Sequence, residues 1–164
     1  GILFRVRHLL VSHVEGHVGR WRGELHWDSS APTGAKIHVE MEAASITTNS
    51  PERDEAILCD DFLDVKHHPY LVFEGRALRP LGHRGQWQAQ GDLTIRDSTA
   101  SIVIDVRMIT DVRQAQREGR AAFTGQAHIS RRAFGLTWNR LLEAGGASVA
   151  DRIEVQLRVL AALD

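Results

Sequence analysis

Residues 152–159 read Arg-Ile-Glu-Val-Gln-Leu-Arg-Val, and the fold prediction starts from this stretch. Apolar side chains at positions 153, 155, 157 and 159 alternate with charged or amide side chains at positions 152, 154, 156 and 158. Because successive side chains of a β-strand point to opposite faces, this period of two predicts a strand with one buried and one solvated face.

The same alternation recurs in seven other stretches, so that about eight strands are predicted. These stretches are residues 2–6, 21–27, 37–43, 71–77, 87–95, 102–108 and 123–129. About eight strands are the number that closes a small barrel. Because the connections between them are too short for crossover helices, the sheet is predicted to be antiparallel.

One short helix is predicted near residues 50–59. It begins at Asn49 or Ser50, with Pro51 in its first turn, and Asn49 and Glu52 have the spacing of a capping box. A loop is predicted at residues 143–146 from its glycines.

The composition is near the average for a soluble globular protein, with 43% hydrophobic and 25% charged residues. The 164 residues contain no internal repeat or linker, which favours a single domain, residues 1–164. A formal net charge of −1 gives no global field that would attract nucleic acid, so no nucleic-acid partner is expected. Cys59 is the only cysteine and excludes an intramolecular disulfide.

The apolar stretches are far shorter than the roughly 20 residues that span a bilayer, so no stable membrane insertion is expected. No signal-peptide pattern opens the chain. We therefore expect a cytoplasmic protein, with a periplasmic or secreted location as the alternative if a leader has been removed.

The inward faces of the predicted strands carry no charge and combine bulky with very small side chains. The small ones are Gly23, Gly75, Ala77, Ala89, Gly91, Gly125 and Ala127. Because empty apolar volume costs roughly 24 cal/mol per Å³, we expect the space left by these residues to hold a ligand. The alternative is that the glycines allow sharp strand bends and that neighbouring side chains fill the gaps.

An ordered series of short motifs spans nearly the whole chain. It comprises Phe4-Arg5-Val6-Arg7-His8-Leu9, Val14-Glu15-Gly16, Ser45-Ile46-Thr47-Thr48, Arg53-Asp54, Asp61-Phe62-Leu63-Asp64-Val65, Pro69-Tyr70-Leu71-Val72-Phe73, Gly91-Asp92-Leu93-Thr94-Ile95-Arg96 and Ile129-Ser130-Arg131-Arg132-Ala133-Phe134-Gly135-Leu136. This order resembles the YceI-like, polyisoprenoid-binding, lipocalin-like family. The resemblance implies an all-β, extended, eight-stranded antiparallel barrel whose pocket holds a long isoprenoid, such as a polyprenyl phosphate or a quinone. Members of the family are often dimers, which leaves a homodimer open.

Three features depart from the family pattern. The family usually begins with a further segment ending in a His-Ser pair, so its first strand is expected to be missing or truncated here. Asp97 stands where the family commonly has glycine after Arg96. Ala133 stands where an acidic residue usually precedes the Phe-Gly pair, so an ion pair from that position to Arg53 or Arg131 is expected to be absent.

The candidate site residues fall into a pocket lining and a head-group set. The predicted lining consists of Trp21, Leu25, Trp27, Val39, Met41, Phe73, Leu93, Ile104 and Phe123. The candidates for a polar head group are Arg53, Arg131 and His8, because guanidinium groups match phosphate well. Ordinary core packing is the alternative for the lining, and structural hydrogen bonding is the alternative for the head-group set.

No catalytic residue, metal ligand or cofactor is predicted. The carboxylates of Asp60, Asp61 and Asp64 are expected to cap turns or face water, and no Gly-x-Ser-x-Gly nucleophile motif is present. His13 with His17, and His67 with His68, are the nearest histidine groupings, but neither has the spacing of a zinc site.

Three functions follow from this interpretation. The preferred one is a non-enzymatic barrel that binds, sequesters or transports a long-chain isoprenoid or similar amphiphile, with the helix near Pro51 and the segment at Leu141 and Leu142 as candidate gates. The second is an enzyme that acts on an apolar substrate in the same pocket, which requires a polar group with a perturbed pKa inside the barrel. The third is a structural barrel with a filled interior.

Overall fold

The computed structural model describes residues 1–8, 11–28, 30–137 and 149–162, and within these ranges the chain forms ten strands and two short α-helices. The strands are β1 (Ile2–His8), β2 (Ser12–Val18), β3 (Trp21–His26), β4 (Lys36–Glu42), β5 (Ile46–Thr47), β6 (Tyr70–Pro80), β7 (Gln86–Ile95), β8 (Ser98–Met108), β9 (Arg120–Ser130) and β10 (Val149–Ala162). The helices are α1 (Pro51–Leu58) and α2 (Val112–Glu118), and 3-10 turns span Pro32–Gly34, Ala43–Ser45 and Arg132–Phe134. The loop predicted at residues 143–146 and the gate predicted at Leu141 and Leu142 lie outside the described residues.

All ten strands belong to one antiparallel sheet that curls into a half-barrel. The strand order is β3-β4-β6-β7-β8-β9-β10-β1-β2-β5, so β3 and β5 form the two edges in the part of the chain that is described. The prediction of an all-β, antiparallel, lipocalin-like fold is confirmed, with ten strands in place of about eight.

The alternation in β10 separates the interior from the solvent as predicted. Ile153, Val155, Leu157 and Val159 face the interior, whereas the residues at positions 152, 154, 156 and 158 are exposed. β10 is the longest strand and pairs with β9 on one side and β1 on the other. β1 in turn pairs with β2. This central group of strands forms one wall of the interior.

Two strands were not predicted, and both have weak local signals. β5 has only two residues. β2 carries just two apolar side chains, Val14 and Val18, with Gly16 between them. A Cβ atom at Gly16 would collide with the ring of Phe4 on β1, so glycine is required there for close packing between the two strands. The residue that weakens the strand pattern of β2 is therefore the residue that lets β2 pack against Phe4.

The helix predicted near residues 50–59 is α1, but its capping differs from the prediction. Ser50 is the N-cap residue and makes no side-chain cap hydrogen bond, while Asn49 adopts a positive φ of 59°. The second helix, α2, was missed because it has only seven residues. Its ends carry ordinary signals, since Asp111 accepts a hydrogen bond from the Gln114 N–H and Gly119 takes the left-handed conformation. Neither described helix is long and apolar enough to cross a membrane.

The turn at Arg96 and Asp97 connects β7 directly to β8, since Ile95 pairs with Ser98. Arg96 has the positive φ, 55°, and Asp97 does not. The conformational freedom of glycine is therefore not required at position 97, which explains why aspartate is accommodated there.

Candidate functional site

The curled sheet surrounds a partly open cavity of about 910 Å³. This volume lies near the upper end of the roughly 300–1,000 Å³ found for small-molecule sites. All ten strands contribute to its wall, and 28 of its 34 lining residues are hydrophobic, so the surface is mainly hydrocarbon. Along β10 the lining runs from Val149 to Val159, a length of about 33 Å of extended strand. The cavity is therefore shaped for a long apolar molecule.

The cavity was predicted, but the reason given for it was wrong. Glycines at inward positions do not leave empty space, because neighbouring groups already occupy it. A Cβ atom at Gly75 would lie 2.7 Å from Cβ of Ile37, and one at Gly125 would lie 3.0 Å from a methyl group of Leu157. A Cβ at Gly91 would collide with the carbonyl of Glu74. The interior is hollow because the sheet curls too widely for side chains on opposite walls to meet.

Six of the nine predicted lining residues face the cavity. They are Trp21, Val39, Met41, Phe73, Leu93 and Ile104. They lie on five strands, β3, β4, β6, β7 and β8, and all occupy the inward register that the alternation predicts. Their contact with a ligand remains a prediction.

The other three predicted lining residues lie away from the cavity. Leu25 is 40% exposed near the end of the edge strand β3. Trp27 packs edge-to-face against Trp87, with ring centroids 5.5 Å apart. On β9 the first residue that lines the cavity is Ala127. Phe123 is four residues earlier on the same strand, beyond the end of the cavity. Inward register was therefore not sufficient, because the cavity occupies only part of the length of the curled sheet.

The opposite wall, from β1 and β2, was missing from the predicted lining. Ile2, Phe4, Val6, Val14 and Val18 all face the cavity. The alternation of Phe4 and Val6 with Arg5 and Arg7 is visible in the sequence and would have identified the β1 part of this wall.

Helix α1 covers part of the cavity and, together with its N-cap residue Ser50, supplies most of the polar lining. Ser50, Glu52, Arg53 and Glu55 line the cavity, and both glutamates are exposed. Arg53 is partly engaged elsewhere, because its Nε donates to Oγ1 of Thr48 at 2.8 Å. The helix near Pro51 therefore lies where a gate was predicted, and whether it moves remains a prediction.

A carboxylate holds α1 to the strand that precedes it. Oδ1 of Asp54 accepts hydrogen bonds from the Thr48 backbone N–H at 2.7 Å and from Oγ1 of Thr48 at 2.6 Å, and Oδ2 accepts from Oγ1 of Thr47. Burial raises the pKa of Asp54, but these hydrogen bonds outweigh burial and hold the pKa below its ordinary value. The ionised form of Asp54 is thus the one that anchors α1.

Arg131 places a buried cation against the hydrocarbon wall. The residue is 7% exposed, lines the cavity, and donates from Nη1 to the carbonyl of Leu136 and from Nη2 to the carbonyl of Val149 at 3.3 Å. Its Nε is buried and has no hydrogen-bond partner among the described residues. Burial lowers the pKa of the guanidinium, yet an arginine stays protonated in a protein.

No carboxylate of the described residues forms a salt bridge with Arg131. Asp151 acts on it electrostatically, but its carboxylate accepts from Oγ of Ser130 at 2.7 Å and from the Arg132 N–H at 2.8 Å. Because Ala133 stands where the family usually has an acidic residue, an ion pair from that position to Arg131 was expected to be absent. Among the described residues no other carboxylate forms a salt bridge with Arg131 in its place.

His8 lies at the same end of the cavity as Arg131. It lines the cavity and pairs with Val149, the residue whose carbonyl accepts from Arg131. Oγ of Ser12 lies 3.5 Å from Nδ1 of His8 and donates to the carbonyl of the same histidine. The structure thus brings two of the three predicted head-group residues to one end.

One group of possible metal ligands occurs among the described residues. The ligand atoms of Cys59, Asp60 and Asp61 lie within 4.8 Å of one another, but both aspartates are exposed. Sγ of Cys59 donates to the carbonyl of Ala56 at 3.1 Å. Exposed acidic groups beside a hydrogen-bonded thiol are ordinary for a turn after a helix, so this group does not define a metal centre.

An antiparallel sheet curled around one long apolar cavity is the architecture of the lipocalin-like class of β-proteins. Within that class the chain belongs to the YceI-like family, because the family model described as the YceI-like domain matches residues 1–161. The family resemblance noted from the motifs is thereby confirmed.

A relative agrees with this assignment, and solved structures share the fold. A UPF0312 protein of Pseudomonas savastanoi pv. phaseolicola is 33% identical over 133 residues, which cover 81% of this chain and 69% of the relative. The crystal structure of Burkholderia cenocepacia BcnA has a TM-score of 0.83 at 17% identity, covering 98% of this chain and 95% of that one. A polyisoprenoid binding domain from Saccharophagus degradans has a TM-score of 0.73 at 10% identity, covering 99% and 93%. At these identities the two structures support the fold alone.

Proposed function

We propose that this protein binds a long-chain isoprenoid or a similar amphiphilic lipid in its cavity and sequesters or transports it. The observation that carries the proposal is the cavity of about 910 Å³ with its predominantly apolar wall. Membership of the YceI-like family and the fold shared with a polyisoprenoid binding domain support the same ligand class.

The driving force is transfer of the lipid tail out of water. Each CH₂ group buried contributes about 0.8 kcal/mol, so ten tail carbons contribute about 8 kcal/mol before association costs. A dissociation constant of about 1 μM requires about 8 kcal/mol to remain after those costs, so more than ten tail carbons must be buried to reach it. Binding of this kind needs a preformed apolar wall and no chemical step.

The two alternative functions are less well supported. A filled structural barrel has no large cavity, in contrast to the described interior. An enzyme needs an acid, base or nucleophile held in a working arrangement in the pocket. The described lining contains His8, Cys59 and the exposed Glu52 and Glu55, but no hydrogen bond joins any two of these four side chains, and Sγ of Cys59 donates to the carbonyl of Ala56. We accordingly propose a binding protein without catalytic activity, working in the cytoplasm, or in the periplasm or outside the cell if the protein is exported.

Native mass spectrometry of the purified protein, followed by lipid extraction, tests the proposal. We expect a bound species whose extracted mass is that of a prenyl chain or a quinone. A second measurement titrates geranylgeraniol, a C20 isoprenoid alcohol, and follows tryptophan fluorescence, because Trp21 lines the cavity. A protein that carries no lipid and does not bind the alcohol would contradict the proposal.

A further inference from the structure

Arg131 has more hydrogen-bonding capacity than the described protein satisfies. Its guanidinium is bonded to the carbonyls of Leu136 and Val149, but the buried Nε has no acceptor in the described ranges. A buried polar group without a partner is destabilising, and a buried charge without a counter-charge is more so. That Nε is enclosed by protein, but each Nη carries a second N–H that has no acceptor in the described ranges. Because Arg131 lines the cavity, a ligand there is in a position to supply an acceptor to the same guanidinium.

At the Arg131 end the described carboxylate that acts on the guanidinium electrostatically is that of Asp151, and it is hydrogen-bonded to Ser130 and Arg132 and forms no salt bridge with Arg131. Arg53 lines the cavity on α1, and His8 is next to Val149 at the end where Arg131 lies. The acidic lining residues are Glu52 and Glu55, which are exposed on α1, so water and salt screen them. Arg131, in contrast, is 7% exposed, and its charge is screened least.

We propose that Arg131 receives the anionic head group of an acidic amphiphile, a phosphate or a carboxylate, while the apolar tail fills the cavity. This inference rests on the proposed function and narrows its ligand from amphiphiles in general to those with a negatively charged oxygen head group. A guanidinium presents planar N–H donors whose geometry matches both kinds of head group. A neutral head group, such as an alcohol, leaves the charge of Arg131 uncompensated.

Three probes with one tail test the proposal: geranylgeranyl phosphate, geranylgeranoic acid and geranylgeraniol. With the wild-type protein we expect at least one acidic probe to bind about 10- to 100-fold more tightly than the alcohol, the range for hydrogen bonds to charged groups. The order of the phosphate and the carboxylic acid identifies which head group the site prefers. Equal affinities for all three probes would overturn the inference and leave the proposed function intact. If none of the three probes binds, both the inference and the proposed function are contradicted.

Arg131→Gln and Arg132→Gln form a matched pair, because each removes one positive charge and Arg132 is exposed and outside the cavity lining. We expect Arg131→Gln to reduce the preference for the acidic probe to less than about 3-fold while binding of the alcohol persists. Arg132→Gln should keep the wild-type preference. If the preference survives in Arg131→Gln, the head group is held elsewhere.

A measurement on the wild-type protein covers the case in which Arg131→Gln does not fold. The arginine Nε–H resonances in a ¹H–¹⁵N spectrum are recorded with each probe, and Arg132→Gln and Arg53→Gln identify signals that do not belong to Arg131. We expect a shift of the Arg131 Nε–H signal with the acidic probe and little shift with the alcohol. Identical spectra with both probes would refute the assignment of Arg131 as the head-group receptor.

Discussion

Ala127→Phe is the substitution that most directly tests whether the cavity holds the lipid tail. Ala127 is 4% exposed, lies on β9 between Ile104 and Val155, and faces the cavity. A phenyl ring at this position extends into the space that the tail is proposed to occupy.

The magnitude follows from the tail carbons that the ring displaces. If its six carbons exclude six tail carbons at about 0.8 kcal/mol each, binding weakens by about 5 kcal/mol. If the tail reroutes and loses only half of this contact, the loss is about 2.4 kcal/mol, or about 60-fold in the dissociation constant. We therefore expect geranylgeraniol to bind at least about 50-fold more weakly.

Fluorescence titration with geranylgeraniol measures the effect, and Gln126→Phe is its control, because Gln126 is the exposed neighbour on the same strand. The control should bind like the wild type. Urea unfolding checks that Ala127→Phe is folded. The ligand-free variant should lose about 1–3 kcal/mol, because the ring must displace Ile104 and Val155 to reach the cavity. Unchanged affinity in a folded Ala127→Phe protein would refute the cavity as the binding site.

Three further substitutions test how the walls and the cover of the cavity are held. Asp54→Asn should lower the free energy of unfolding by about 1–3 kcal/mol at pH 7. In the wild type this stabilisation is full above the ordinary Asp pKa of about 3.9 and is lost as the pH falls through the lower pKa of the folded state. Urea unfolding from pH 2 to 7 should therefore show an acid-dependent loss of stability that the variant lacks, and identical pH profiles would contradict this. Phe134→Ala, at a side chain that is 2% exposed, should lower the free energy of unfolding by about 3–5 kcal/mol, and a loss below about 1 kcal/mol in urea would show that the site is not tightly packed. Gly91→Ala should lower the free energy of unfolding by about 1–3 kcal/mol or more, because its Cβ meets the Glu74 carbonyl. The control Gly34→Ala has open space around its Cβ and should change the free energy of unfolding by no more than about 0.5 kcal/mol. Equal thermal unfolding of the two variants would refute the steric argument.

Properties that depend on neighbours along the chain were predictable. Side-chain direction in a strand alternates with each residue, so the sequence predicted the cavity-facing set on β10 and six members of the lining on other strands. The proline in the first turn of α1 is likewise a local signal, and the predicted helix is present. The motifs identified the family because their order is a property of the chain alone.

Properties that depend on distant contacts were decided only by the tertiary structure. No empty space is left beside Gly75 and Gly125, because side chains of neighbouring strands fill it. Ile37 packs against Gly75, and Leu157 packs against Gly125. How widely the sheet curls sets the length of sheet that surrounds the cavity. Phe123 lies beyond this length and therefore does not line the cavity.

Arg131 and Arg132 illustrate the same division at the candidate site. As neighbours in the sequence they carry the same charge and the same side chain, yet Arg131 is 7% exposed and Arg132 is exposed to solvent. The difference arises because Arg131 donates to the carbonyls of Leu136 and Val149, and Val149 belongs to a strand that begins 18 residues later. Pairing between distant segments sets which cation is buried, and a pattern read along the chain contains no information about that pairing.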